Sequence, residues 1–170
     1  MTEQQIGKEY LENSIKAFQS MKSMAEKAIS QLEPADYRWQ PDPESNSILI
    51  LVKHIGGNLI SRWTDFLTTD GEKKDRNRDS EFEDENASMD QAMVRWEKGW
   101  NTLFQTLSGL SEDDLLRTVY IRGEPHSVVK AIHRQLTHYS AHIGQILYIA
   151  KHRKGSNWQT LSLPRAKPKG

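Results

Sequence analysis

Residues 126–152 read His126-Ser-Val-Val-Lys-Ala-Ile-His-Arg-Gln-Leu-Thr-His-Tyr-Ser-Ala-His-Ile-Gly-Gln-Ile-Leu-Tyr-Ile-Ala-Lys-His152. In this run Val129, Ile132, Leu136, Tyr139, Ile143, Ile146 and Ala150 recur at three- and four-residue spacings, which lines them along one side of an α-helix. Gly155 follows as a stop. The stretch predicts a long amphipathic helix from about His126 to His152, whose apolar stripe must be covered by other elements.

Three earlier segments carry the same periodicity. From Thr2 to Leu32 the stripe is Ile6, Tyr10, Ile15, Phe18, Met21, Ala25, Ala28 and Leu32, closed by Pro34. Trp39-Gln-Pro-Asp-Pro43 then reads as an extended linker, because each proline disfavours helical geometry in the residue before it. Asn46 or Ser47 can cap a second helix with Ile48, Leu51, Val52, Ile55, Leu59, Trp63 and Phe66 inside, and Ser88 precedes a third with Ala92, Trp96, Trp100, Leu103 and Leu107 inside. Between them, Asp70 to Asn86 offers almost nothing to bury and is long for a turn, so it reads as a solvated crossover loop. Such a crossover lets the second and third helices run in the same direction. Ser111–Leu115 reads as a short helical turn, and Val119–Ile121 with Arg122–Pro125 as a small extended excursion. The expected fold is an all-α four-helix bundle, with residues 1–160 as one domain and residues 161–170, which include Pro164 and Pro168, as a flexible basic tail.

Composition excludes several classes of function. At 170 residues the chain fits one domain of the usual size, ~100–200 residues. Lys+Arg and Asp+Glu are both 23, so there is no basic excess for generic affinity to nucleic acid. Lys151–Lys154 and the Arg165/Lys167/Lys169 tail read as solvated charge rather than a nucleic-acid site. Cysteine is absent, which removes disulfides, thiolate nucleophiles and Cys-based zinc sites together. The first ten residues lack the basic start and apolar run of a signal peptide, and no stretch approaches a membrane span, so a cytoplasmic protein is expected.

The histidines carry the chemical signal. His138 and His142 lie four residues apart on the last helix, project from one side of it and can share a metal ion. Two such histidines can also simply border an apolar face. His54 sits at the flank of the second helix's stripe, where helix packing can bring it to the pair, and three imidazoles would leave coordination positions open for water or substrate. His133 points away from His138; His126 marks the entry to the last helix and His152 its basic end. Gly56 and Gly57 inside a helix cost roughly 1 kcal/mol each relative to alanine, compensated either by close helix packing or by a cleft beside His54. Trp63, Trp96 and Trp100 fall on inner stripes and read as core, while Trp39 and Trp158 can cover the ends. Asn58 and Gln145 can line a pocket, and no acidic residue adjacent in sequence to the histidines stands out as a general base.

Trp39-Gln-Pro-Asp-Pro-Glu-Ser-Asn-Ser-Ile48, Val52-Lys-His54-Ile-Gly-Gly-Asn58 and Arg134-Gln-Leu-Thr-His138-Tyr-Ser-Ala-His142-Ile-Gly-Gln145 resemble the DinB/YfiT-like metalloenzyme superfamily, and within it the DUF1572 branch. The resemblance spans nearly the whole chain and matches the superfamily's histidine pattern at His54, His138 and His142. It implies an up-down-down-up bundle, often a homodimer, with a divalent ion such as zinc or nickel on the three histidines. Relatives in that superfamily include mycothiol-dependent maleylpyruvate isomerase and bacillithiol S-transferases, so it also implies a low-molecular-weight thiol cosubstrate. The expected function is a metal-dependent thiol transferase or hydrolase acting on a small molecule, the ion activating thiol or water. The alternative is a non-catalytic metal- or ligand-binding stress-response module.

Overall fold

The protein is described by a computed structural model covering residues 2–83 and 87–163. Most of the expected tail, including Pro164, Arg165, Lys167, Pro168 and Lys169, lies outside the described residues. Four helices dominate: α1 (Glu3–Ile29), α2 (Ile48–Trp63), α3 (Met89–Ser108) and α4 (Val128–Lys154). A two-stranded antiparallel hairpin, β1 (Thr118–Ile121) and β2 (Glu124–Ser127), precedes α4.

Each helix begins where a hydroxyl satisfies its first free amides. Thr2 accepts from the Gln5 amide, Ser47 from Ile50, Ser88 from Gln91 and Ser127 from Lys130. Loss of one such cap costs roughly 1 kcal/mol. The helices end more abruptly than their apolar patterns suggest. α1 stops at Ile29, and Leu32 is buried from the irregular segment beyond it. Residues 39–45 are not an extended linker, because the Asp42 carboxylate accepts from the Glu44 amide and the Ser45 hydroxyl and folds the chain into a turn. His126 does not enter α4 but lies on β2, opposite Val119.

α2 packs most extensively against α3, and α1 against α4. Almost all of α2 is buried, in keeping with its high apolar content. Its contact with α3 is made backbone to backbone at two glycines. A Cβ on Gly56 would lie 3.1 Å from the Trp96 amide nitrogen, and one on Gly99 would lie 2.7 Å from Leu59 Cβ and 3.0 Å from the Gly56 carbonyl. Two turns on, the Thr106 hydroxyl donates to the Trp63 carbonyl at 2.9 Å. Trp63, Trp96 and Trp100 are buried as expected, Trp63 edge-on to Phe18, Trp100 edge-on to Tyr139 and Trp96 edge-on to Trp100. Trp39 stacks on His152 at 5.0 Å and covers one end of α4. Among the described residues no helix is long and apolar enough to cross a membrane.

Two alanine substitutions at helical glycines are expected to act in opposite directions. Gly99→Ala overlaps Leu59 and should lower stability by about 1–3 kcal/mol. Gly144→Ala on α4 meets nothing within 4 Å and should raise it by about 0.4–1 kcal/mol. Urea unfolding of both variants measures the difference.

Candidate metal centre

α2 and α4 bring His54, His138 and His142 together, with one ring nitrogen from each lying within 4.8 Å of the others. His54 Nε2 is 3.2 Å from His138 Nε2, and His142 Nε2 is 3.1 Å from the same atom. His133 is exposed and outside the cluster, as its helical angle predicts.

The partners of the outer nitrogens define the tautomers. His54 Nδ1 faces Glu81 Oε2 at 3.0 Å, and a carboxylate only accepts, so that nitrogen carries the proton. His142 Nδ1 faces Gln145 Oε1 at 3.0 Å and donates to it. Both rings therefore turn bare Nε2 lone pairs toward His138 Nε2, which can offer a proton to only one of them. Burial, followed by the neighbouring imidazoles, pushes His138 down to about 3. Burial also lowers His142. The three convergent ring nitrogens form a donor set for a cation. The 3.1–3.2 Å spacings are close to the roughly 3.3 Å between ligands of a tetrahedral ion with metal–nitrogen bonds of about 2.0–2.1 Å. The residues fit a divalent metal ion.

The acidic partner comes from the segment read as solvated. Glu81 is only 2% exposed, and its carboxylate accepts from Arg76 Nε (2.8 Å) and Arg76 Nη2 (2.7 Å) as well as from His54. Burial alone would raise its pKa. The hydrogen bonds from His54 and Arg76 more than reverse that and hold the group ionised. Arg76 also pairs with Glu72 at 3.0 Å, and Phe82 packs on the His54 ring at 4.8 Å. Residues 72–82 thus fold inward over α2, because two charges that satisfy each other can be buried where either alone could not. Glu81 lies 27 residues from His54, so no local motif in the sequence marks it as the histidine's partner.

The two central glycines divide the roles weighed for them. Gly56 permits close packing on α3, whereas a Cβ on Gly57 would overlap the Glu81 carboxylate. Gly57 therefore makes room for the group that orients His54. Asn58 lines the cavity in front of the histidines and accepts from the Tyr139 hydroxyl at 2.9 Å. Gln145 does not line that cavity and acts instead on the far side of His142. The cavity has a volume of about 630 Å³.

A family model described as "Protein of unknown function (DUF1572)" matches residues 5–167. No curated protein matches the chain.

Glu81→Ala leaves Arg76 and His54 without their buried carboxylate. It is expected to destabilise the protein by about 3–5 kcal/mol, measured by thermal or urea unfolding.

Proposed function

The chain belongs to the DUF1572 family, whose description names no activity, and we propose that it is a metal-dependent enzyme acting on a small molecule. One divalent ion, zinc or nickel, sits on His54, His138 and His142. The observation that carries this reading is the convergence of three ring nitrogens, two with their protons held on the outer side by Glu81 and Gln145. An outer-shell partner of this kind fixes the tautomer and raises the basicity of a metal-binding imidazole. Three protein ligands beside an open cavity leave positions for an exchangeable ligand, the arrangement of a catalytic rather than a closed structural site.

When bound, the ion would lower the pKa of a thiol or water and favour its anion as nucleophile. The protein's own residues do the rest. Glu81 and Gln145 hold the rings, Phe82 shields His54, and Asn58 and Gln135 present polar atoms to the cavity. Transfer of a low-molecular-weight thiol and hydrolysis are the two reactions this arrangement suits.

The wider placement belongs to the same proposal: a DinB/YfiT-type, up-down-down-up four-helix bundle, cytoplasmic and homodimeric, spanning residues 1–160. Its topology is supported by the pairing of Gly56 with Trp96, Leu59 with Gly99 and Trp63 with Thr106, which runs α2 and α3 in one direction. Tyr10 bonds to Val129 and Gln31 to Gln159, a register that aligns α1 with α4 in the same way.

Protein purified without chelator should contain about one divalent ion per chain. His138→Ala/His142→Ala should fold and lose that ion, and an ion retained by the variant would remove the premise. In cobalt-substituted protein, addition of small thiols should shift the visible absorption bands. A spectrum indifferent to thiols would point to hydrolysis or to a non-catalytic binding role.

A further inference from the structure

The molecule has no net charge, yet the cavity in front of the histidines is lined by Arg62, Arg76, Arg78, Arg122 and Arg134, and among the described residues no carboxylate lines it. Most of the nearby negative charge is already engaged. Glu81 is held by Arg76 and His54. Glu72 is shared by Arg76 at 3.0 Å, Arg122 at 3.3 Å and Arg62 at 3.7 Å. Arg134 forms no ion pair among the described residues.

Arg62 is the informative member. Its residue is only 2% exposed, and its Nε and Nη1 are buried without a hydrogen-bond partner. Burial depresses its pKa, and among the described residues Glu72, at 3.7 Å, is its one ion-pair partner. Gln135, which lines the same cavity, is 1% exposed, and its side-chain oxygen is also buried and unpartnered. Two buried polar side chains with unused atoms both line this cavity, and a ligand that reached them would accept from Arg62 and donate to Gln135.

The hairpin tip adds to the charge through a strained backbone. Arg122 has φ +56° and precedes Gly123 at φ +76°, the two-residue turn that suits a β-hairpin. Both amides donate to the Asp70 carboxylate, at 2.9 and 2.7 Å, which ties the start of the α2–α3 connection to the hairpin. A left-handed conformation is unfavourable for an arginine. Here it stations a cation at the cavity.

We propose that this cavity binds the anionic group, a carboxylate or a phosphate, of the small molecule that reacts at the histidines, with Arg62 as its principal partner and Arg134 and Arg122 at its rim. The inference rests on the metal-site reading only for which end of the ligand reacts. Charge-assisted bonds from a planar guanidinium are the stronger class, and the excess of like charge would favour anions over neutral analogues at the encounter.

The test is calorimetric titration of the purified chain with succinate, with inorganic phosphate, and with succinamide as the uncharged analogue, alongside metal analysis of every sample. Succinate or phosphate should bind at least about tenfold more tightly than succinamide, and their relative affinities distinguish a carboxylate site from a phosphate site. Arg62→Met should remove that preference without changing metal content. If Arg62→Met unfolds, Arg134→Gln at the exposed rim should weaken anion binding several-fold, while Arg117→Gln, outside the cavity, should not. Equal affinity for succinate and succinamide, or anion binding unchanged in the folded cavity variants, would overturn the proposal. Anion binding that depends on Arg62 in protein that holds no metal would sustain it and defeat the metal reading instead.

Discussion

The carboxylate of Glu81 is the contact on which the histidine cluster depends. It is buried, shared between His54 and Arg76, and occupies the space left by the missing side chain of Gly57. An isolated carboxylate in that position would be protonated or expelled, since burial penalises its charge. Arg76 supplies the compensating charge and His54 a donor. In return, the carboxylate selects the His54 tautomer that leaves Nε2 free to face its two neighbours on α4. One ion pair therefore both seals the segment after α2 and orients a donor atom.

This arrangement requires a rigid platform, and α2 provides it. Gly56 and Gly99 let α2 and α3 approach at backbone distance, which limits sliding between them. On the opposite side Tyr139 is held by Trp63 Nε1 at 3.3 Å while donating to Asn58, so the residue adjacent to His138 is bonded across to α2. The histidines thus lie on two helices whose relation is set by a buried polar network inside an aromatic core. A network of this kind narrows the number of acceptable packings more than apolar burial alone does.

Charge is distributed to match. The balance of 23 basic and 23 acidic residues conceals a local separation, with arginines drawn to the cavity while Glu72 and Glu81 are spent on holding them and His54 in place. Asp70 extends the same scheme to the backbone of the hairpin tip. The connection from Asp70 to Phe82, polar in composition, thus contributes Arg76, Arg78 and Phe82 to the cavity wall, with Asp70, Glu72, Arg76 and Glu81 matched to particular partners.

Local patterning in the sequence determined the four helices, the hydroxyls at Ser47 and Ser88 that begin two of them, the core tryptophans and the shared face of His138 and His142. Each of these follows from spacing along one segment or from the chemistry of a single turn. The approach of His54 was anticipated from its flanking position and from a resemblance, but the chain alone could not measure it. The roles of Glu81, Arg76 and Gly57, the burial of Arg62 and the use of Gln145 behind His142 were decided only by tertiary structure. A polar run such as 70–83 has no periodicity to read, because the few side chains it turns inward, Glu81 above all, are held by matching individual charges rather than by repeating an apolar face, while Lys74, Asp75 and Asp79 stay exposed.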